Sequence, residues 1–230
     1  MGERSSRATG LLALSGVLSL ALLAGLAQAE PPDAATVAAE ARQLEARSSS
    51  ASRHGQTLQP RASNGRVVRL DSHTDDEAHP ESFVDYRFAG TSSDSKFFSV
   101  HAMFYEHETT YWISRATGET TEVFAAPVIS PDGSHAVTAL AWETFGPEGV
   151  FVWEIAGDRL VQQAHIRHGN FGLFTFKRWT DDHTAVLELF SHDYLAFCPG
   201  TNSTTADIRL SAGSTGWALL APSAKDVRCS

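Results

Sequence analysis

The chain begins with a largely apolar stretch from Leu11 to Leu26 and thins to an Ala- and Glu-rich segment. A polar run follows, and from Arg66 onward apolar and polar positions alternate over short intervals. The first stretch has Arg4 and Arg7 ahead of it and Ala27-Gln28-Ala29 behind it, the three-part layout of a secretory signal peptide over residues 1–29. It is short and Gly-interrupted for a bilayer span, so a cleaved leader is expected rather than an anchor. Residues 30–64 are expected to form a helical arm and flexible linker. Asp33 can cap a helix whose stripe of Val37, Ala41 and Leu44 is thin. Such a helix is marginal alone, which predicts a frayed arm, with a partner-binding helix as the alternative. The run from Ser48 to Asn64 has almost no apolar content and reads as a solvated linker.

Residues 65–230 read as β. Arg66–Leu70 is rich in β-branched residues, and Phe83–Phe88 alternates aromatic with polar. An internal repeat then emerges. One unit runs from Asp94 through Phe97–Tyr105 and Tyr111–Ser114, turns at Ala116-Thr117-Gly118-Glu119 and returns through Thr120–Phe124. The next runs from Asp132 through Ala136–Trp142 and Val150–Ile155, turns at Ala156-Gly157-Asp158 and returns through Arg159–Gln163. Both segments Tyr111–Phe124 and Val150–Gln163 are therefore predicted hairpins, with Gly at the turn where positive φ is needed. A weaker third unit has Trp179-Thr180-Asp181-Asp182 at the turn position, Ala185–Phe190 as its first strand and Thr205–Leu210 as an echo of the later hairpin, its Gly missing. Pro131 and Gly133 in Ser130-Pro131-Asp132-Gly133 suit the second and exit positions of a tight turn.

Ile129-Ser130-Pro131-Asp132-Gly133, a β-rich run, then Val152-Trp153-Glu154-Ile155 and a Gly turn resemble the blade pattern of WD40-like (TolB-type) β-propeller repeats. The resemblance implies four-stranded blades, a common use as protein-interaction surfaces, and no catalytic residues in the blade motif itself. Two clear blades and a weak third are fewer than a closed ring needs. The expected fold class is thus all-β: antiparallel blade-like sheets resembling an incomplete β-propeller, with a short N-terminal helical arm. An open arrangement leaves a sheet edge to be covered, charged or paired with a second copy.

Composition narrows the chemistry. A formal net charge of −9 without a basic run argues against nucleic-acid binding, and 13 Phe with 5 Trp supply ample core. Two cysteines in an exported chain predict one disulfide, Cys198–Cys229, tethering the C-terminus, with an intermolecular bridge as the alternative. His107-Glu108-Thr109-Thr110 starts like a zinc-protease signature but has Tyr111 in fifth place, at a hairpin tip instead of on a helix. His165 and His168 point to opposite faces in strand register. Asp71, His73, Asp75, Asp76, Glu77 and His79 have the flavour of a calcium loop, yet Asp76 stands at the sixth position and Ser82 at the twelfth, so a solvated loop is expected. No nucleophile elbow surrounds any Ser, and His168-Gly169-Asn170-Phe171-Gly172 lacks the spacing of a nucleotide loop. Trp112, Trp142, Trp153, Trp179 and Trp217, with Phe97, Phe98, Phe104 and Phe151, are expected to fill space between stacked sheets, with a ligand groove as the alternative. Asn202-Ser203-Thr204 is a glycosylation sequon, meaningful only in a eukaryotic secretory route.

These observations lead to an expected function: a non-enzymatic exported binding or protein-interaction module, periplasmic or extracellular, without cofactor, metal, nucleic acid or membrane span after leader cleavage. The rival is an exported hydrolase or metal-dependent enzyme, its site assembled from dispersed acids and histidines such as His101, His107, His165 and His192. Convergence of three such groups in a concave pocket would favour the enzyme.

Overall fold

A computed structural model describes residues 34–74, 79–141, 147–167, 172–192 and 194–229. The leader segment and Asp33 lie outside the described residues. Helix α1 (Ala34–Ala46) leads into a hairpin of β1 (Ala51–His54) and β2 (Thr57–Pro60), which with β3 (Leu70–Asp71) forms a small sheet. Three antiparallel meanders follow. The first contains β4 (Val84–Thr91), β5 (Phe97–Phe104), β6 (Glu108–Ser114) and β7 (Thr120–Glu122). The second contains β8 (Val128–Ile129), β9 (His135–Ala139), β10 (Val150–Ala156) and β11 (Arg159–Ile166). The third contains β12 (Leu173–Asp181), β13 (Thr184–Ser191), β14 (Thr204–Gly213) and β15 (Gly216–Leu220). A last strand, β16 (Val227–Cys229), pairs with Thr204–Ala206 on the stretch of β14 that β15 leaves open. The described residues are all-β with one N-terminal α-helix, and both expected hairpins form as β6–β7 and β10–β11.

The repeat resides in the turn between the first and second strands of each meander. In the first sheet the Ser92 hydroxyl donates to Asp94 (2.6 Å), Asp94 accepts the Lys96 N–H (3.1 Å), and Ser92 Oγ accepts the Phe97 N–H (3.0 Å). In the second sheet Ser130, Asp132, Ser134 and His135 make the same three bonds at 2.6, 3.1 and 3.0 Å. The left-handed position is Gly133 (φ 73°) in one turn and Ser95 (φ 60°) in the other. In the third sheet only part of the motif persists: Asp181 accepts the His183 N–H at 2.8 Å. Its fourth strand also starts later than the sequence echo implies, after a turn flanked by Gly213 and Gly216, because Thr204–Gly213 is one unbroken strand.

Apolar side chains alternate along the strands, so the first and second meanders each contribute to two layers of core and the third to one. Phe88, Phe98, Val100 and Ile113 of the first sheet pack against Ala51, Leu58 and Leu44 of the hairpin and helix. On its other side Phe97 and Trp112 meet Ala136, Phe151 and Trp153 of the second sheet. Val137, Val150 and Val152 then meet Phe174, Leu187, Leu189 and Ile208 of the third. The result is a stack: helix and small sheet, then three meanders in chain order. Among the described residues no core layer joins the third sheet back to the helix.

Two expectations are corrected. The stretch from Ser48 to Asn64 is not a solvated linker: its few apolar residues, Ala51, Leu58 and Ala62, are buried, and the first meander supplies the remaining contact surface. Helix α1 is not a frayed arm: of its stripe Leu44 packs on the core, while Val37 is 45% exposed. It docks by Glu40, whose carboxylate accepts from Arg53 Nη2 (2.6 Å), Arg87 Nη1 (3.1 Å) and the Phe88 N–H (2.8 Å). Arg87 also donates to Asp85 at 2.7 Å, and Arg53 to the Tyr86 carbonyl. Gly90 (φ 112°), at a bulge in β4, lies where an added Cβ would stand 2.9 Å from Gln43 Oε1 of the helix.

The far face of the third sheet ends in a second charge cluster. Lys177 donates to Glu188 (3.2 Å) and Asp207 (3.1 Å), and Arg228 donates to the same two acids at 2.7 and 2.9 Å. Cys198, in the β13–β14 connection, forms the disulfide with Cys229 of β16, with Cα atoms 5.4 Å apart.

Candidate functional site

The turn motif fixes where a side chain three residues after its Asp must point. In the first sheet this position is Phe97, stacked on Trp112 at 5.1 Å and buried against the second sheet. In the second sheet it is His135, directed to the third sheet. There it meets the edge of Trp217 (centroids 5.2 Å apart, planes at 64°) and His183 (5.6 Å, 60°). Trp217 on β15 is itself 6.3 Å from Trp179 on β12, nearly perpendicular to it, and Trp179 lies 5.9 Å from Phe176. The Trp179 indole N–H donates to the Val128 carbonyl at 3.2 Å, which ties β12 to β8 across the gap. The outcome is a half-open crevice between the second and third sheets. Trp179, Trp217 and His135 are half-buried in it, His183 is exposed, and Val128 is 38% exposed at the rim.

The polar side of the crevice is ordered by the same turn. Ser134 Oγ lies 2.6 Å from Asp132 Oδ2 and 2.7 Å from His135 Nδ1. With the hydroxyl hydrogen given to Asp132, the neutral imidazole carries its proton on Nδ1 and leaves Nε2 as an acceptor. Hydrogen bonds from Ser130 and then Ser134 hold the Asp132 carboxyl down at about 2. An acid, a hydroxyl and an imidazole are thus in one chain, in the wrong order for nucleophilic catalysis. A triad needs the imidazole between the acid and the hydroxyl, so that it can take the hydroxyl proton. Here the hydroxyl is the middle member, and the chain orients the imidazole instead.

The histidines singled out from the sequence stand elsewhere, each with its own neighbour. His101 on β5 faces Glu108 at 3.1 Å, and His107 stacks on Phe104 at 4.5 Å. His165 on β11 stacks on Phe151 at 4.0 Å and contacts the Glu148 carbonyl at 2.8 Å. The His192 ring nitrogen meets the Asn202 carbonyl at 2.5 Å. Glu108, Thr109 and Thr110 are strand residues, so the zinc-signature spacing places nothing on a common helix face. Asp71 is engaged by Arg69 and Thr57, whose hydrogen bonds lower its carboxyl. Trp142, His168, Asp75, Asp76 and Glu77 lie outside the described residues. Among the described residues, no three His, Cys, Asp or Glu side chains are grouped to hold a metal ion. Phe97, Phe98, Trp112, Phe151 and Trp153 are core, whereas Trp179 and Trp217 line the crevice.

Neither His135 nor His183 is among the histidines that the sequence singles out. A positional signal marks His135, which stands in the second repeat where the first carries Phe97. Compared with known proteins, the chain matches no family model and no curated sequence.

Proposed function

We propose that the protein is an exported, non-enzymatic binding module that takes a protein partner in the crevice between the second and third sheets. The observation that carries this reading is the convergence of Trp179, Trp217, His135 and His183 beside the exposed Val128. Large, rigid, amphipathic side chains in a partly desolvated niche are the usual energetic centres of protein interfaces. The leader-like segment at residues 1–29 and the Cys198–Cys229 disulfide support export to an oxidising compartment. Among the described residues no helix is long and apolar enough to cross a membrane.

The test is affinity capture from the envelope and secreted fractions with wild-type bait, Trp217→Ala and His183→Ala. Circular dichroism confirms that each variant is folded. The expected result is a stoichiometric partner on the wild type that is lost with Trp217→Ala and reduced with His183→Ala. Retention of the partner by both folded variants overturns the crevice. A stoichiometric transition metal without an enriched partner overturns the binding module in favour of the metal-dependent enzyme. A second copy of this chain, paired along an open strand edge, is distinguished by light scattering on the purified protein.

A further inference from the structure

At the other end of the stack, Ser49, Ser50, Arg61, Ala62, Ser63, Gly65 and Arg115 line an open cleft of about 290 Å³. Its walls come from three places: the turn after α1, the loop after β2 and the end of β6. Each wall is pinned by backbone bonds. The Arg61 N–H donates to the Ser50 carbonyl (2.8 Å), the Ser63 N–H to the Arg115 carbonyl (2.8 Å), and the Arg115 N–H to the Lys96 carbonyl (2.9 Å). Arg115 is also held by its side chain, which donates from Nη1 to the Ser95 carbonyl at 2.7 Å and lies 5.4 Å above the Phe98 ring. Among the described residues its remaining guanidinium hydrogens have no acceptor. Arg61 is exposed, and its guanidinium has no acceptor among the described residues.

The charge of this lining runs against that of the chain. The protein carries 27 acidic residues against 18 basic ones, yet among the described residues no carboxylate lines the cleft. The neighbouring helix end does not reverse this, because the Arg47 carbonyl is already occupied by the N–H groups of Ser50 (2.8 Å) and Ala51 (2.9 Å) and by the Ser50 hydroxyl (3.3 Å). Two arginines and three serines, Arg61 and Arg115 with Ser49, Ser50 and Ser63, line the space, which gives it fixed positive charge and neutral hydroxyl groups. Guanidinium groups in a planar fork bind oxyanions by charge-assisted pairs. The lining comes from three separate segments of the chain, an arrangement that can surround a tetrahedral anion more readily than a flat carboxylate. The volume sits near the lower limit of small-molecule sites, about 300 Å³.

We propose that this cleft binds a tetrahedral oxyanion, a phosphate either free or as the monoester of a small polyol, through Arg61 and Arg115 with Ser49 and Ser63 as neutral donors. The site is separate from the aromatic crevice and does not rest on the function proposed there. Titration calorimetry at low ionic strength, using the full exported chain, tests it with inorganic phosphate, glycerol phosphate and acetate. The expected result is saturable phosphate binding at millimolar concentrations that acetate does not match. Arg61→Gln should weaken it at least about tenfold, the loss of one charge-assisted contact. Because the Arg61 guanidinium holds no other group in place among the described residues, this variant is expected to keep its fold, which the melting curve checks. Arg115→Lys, which keeps the charge but loses the fork, should weaken binding by a smaller factor. Tighter binding of glycerol phosphate than of inorganic phosphate assigns the ester, and equal affinity assigns the free anion. No phosphate binding by the wild type, equal affinity for acetate, or an unchanged affinity in folded Arg61→Gln overturns the proposal.

Discussion

At the helix end of the stack, Glu40 and Asp85 meet Arg53 and Arg87 beneath α1. At the other end, Glu188 and Asp207 meet Lys177 and Arg228 on an open sheet face. Both clusters hold two acids and two bases within hydrogen-bond distance, so a list of ion pairs would rate them alike. Their surroundings differ. The Glu40 and Asp85 side chains are 5% and 2% exposed, against 37% and 29% for Glu188 and Asp207. In the buried cluster the two carboxylates have lost nearly all their water and depend on their partners, so removing one group is costly even where the pair as a whole adds little net stability. The exposed cluster is solvated and screened by salt, and each pair contributes little. Their tasks differ accordingly. The buried cluster positions a helix that has almost no apolar face, whereas the exposed one ends a stack that would otherwise present a sheet face to another sheet. Repeat arrays need such polar terminal faces to remain soluble.

Removing the pivot of the buried cluster gives the largest expected effect. Glu40→Ala should cost about 3–5 kcal/mol in denaturant unfolding, because it leaves Arg53 and Arg87 without their shared acceptor. Hydrogen exchange should rise throughout Ala34–Ala46, and a loss below about 1 kcal/mol would show that the two clusters are equivalent after all. Next is the covalent tie at the exposed end. Cys198→Ser with Cys229→Ser should cost roughly 3.5 kcal/mol in the chain-entropy picture for a 31-residue separation, read from the same unfolding curves. Gly90→Ala tests the helix seat without touching a charge. Gln43 can swing away from the new methyl, so the cost, about 1–3 kcal/mol, lies in the left-handed backbone at φ 112°. Glu188→Ala should be smallest, under about 1 kcal/mol, and its effect should shrink further in high salt.

The exposed cluster should also respond to acid. Partial burial pushes the Asp207 carboxyl upward, but hydrogen bonds from Lys177 and Arg228 outweigh this and hold it below its ordinary value. A carboxyl depressed in the folded state stabilises above its unfolded value, near 3.9, and loses that contribution as pH falls through the folded one. Asp207→Asn should therefore flatten the stability profile below about pH 4 and leave its slope near neutrality unchanged.

The hairpins and their turns were legible in the sequence because the chemistry that makes them is local. Ser130, Asp132 and Gly133 bond within six residues of one another, and so do Ser92, Asp94 and Lys96. The disulfide was legible because the chain has only two cysteines. The helix seat was not. Glu40 looks like an ordinary surface acid, and its partners stand 13, 47 and 48 residues away. The first hairpin was hidden for a related reason: three small apolar contacts suffice when the facing sheet supplies Phe88, Phe98 and Val100. The crevice was half legible. Its tryptophans were flagged as either core or groove, but Trp217 became a groove residue only because its neighbour across the gap is His135 rather than a second aromatic hydrocarbon.

The last strand returns to the start of β14 and is fastened to the loop that precedes it. The thirty residues between the two sulfurs therefore form a closed covalent ring that includes all of β14, β15 and the final connection. A protease that cuts this ring once releases no fragment. The nicked chain keeps its full mass, its strands stay within reach of their partners, and the damage shows on a gel only after a reductant opens the ring.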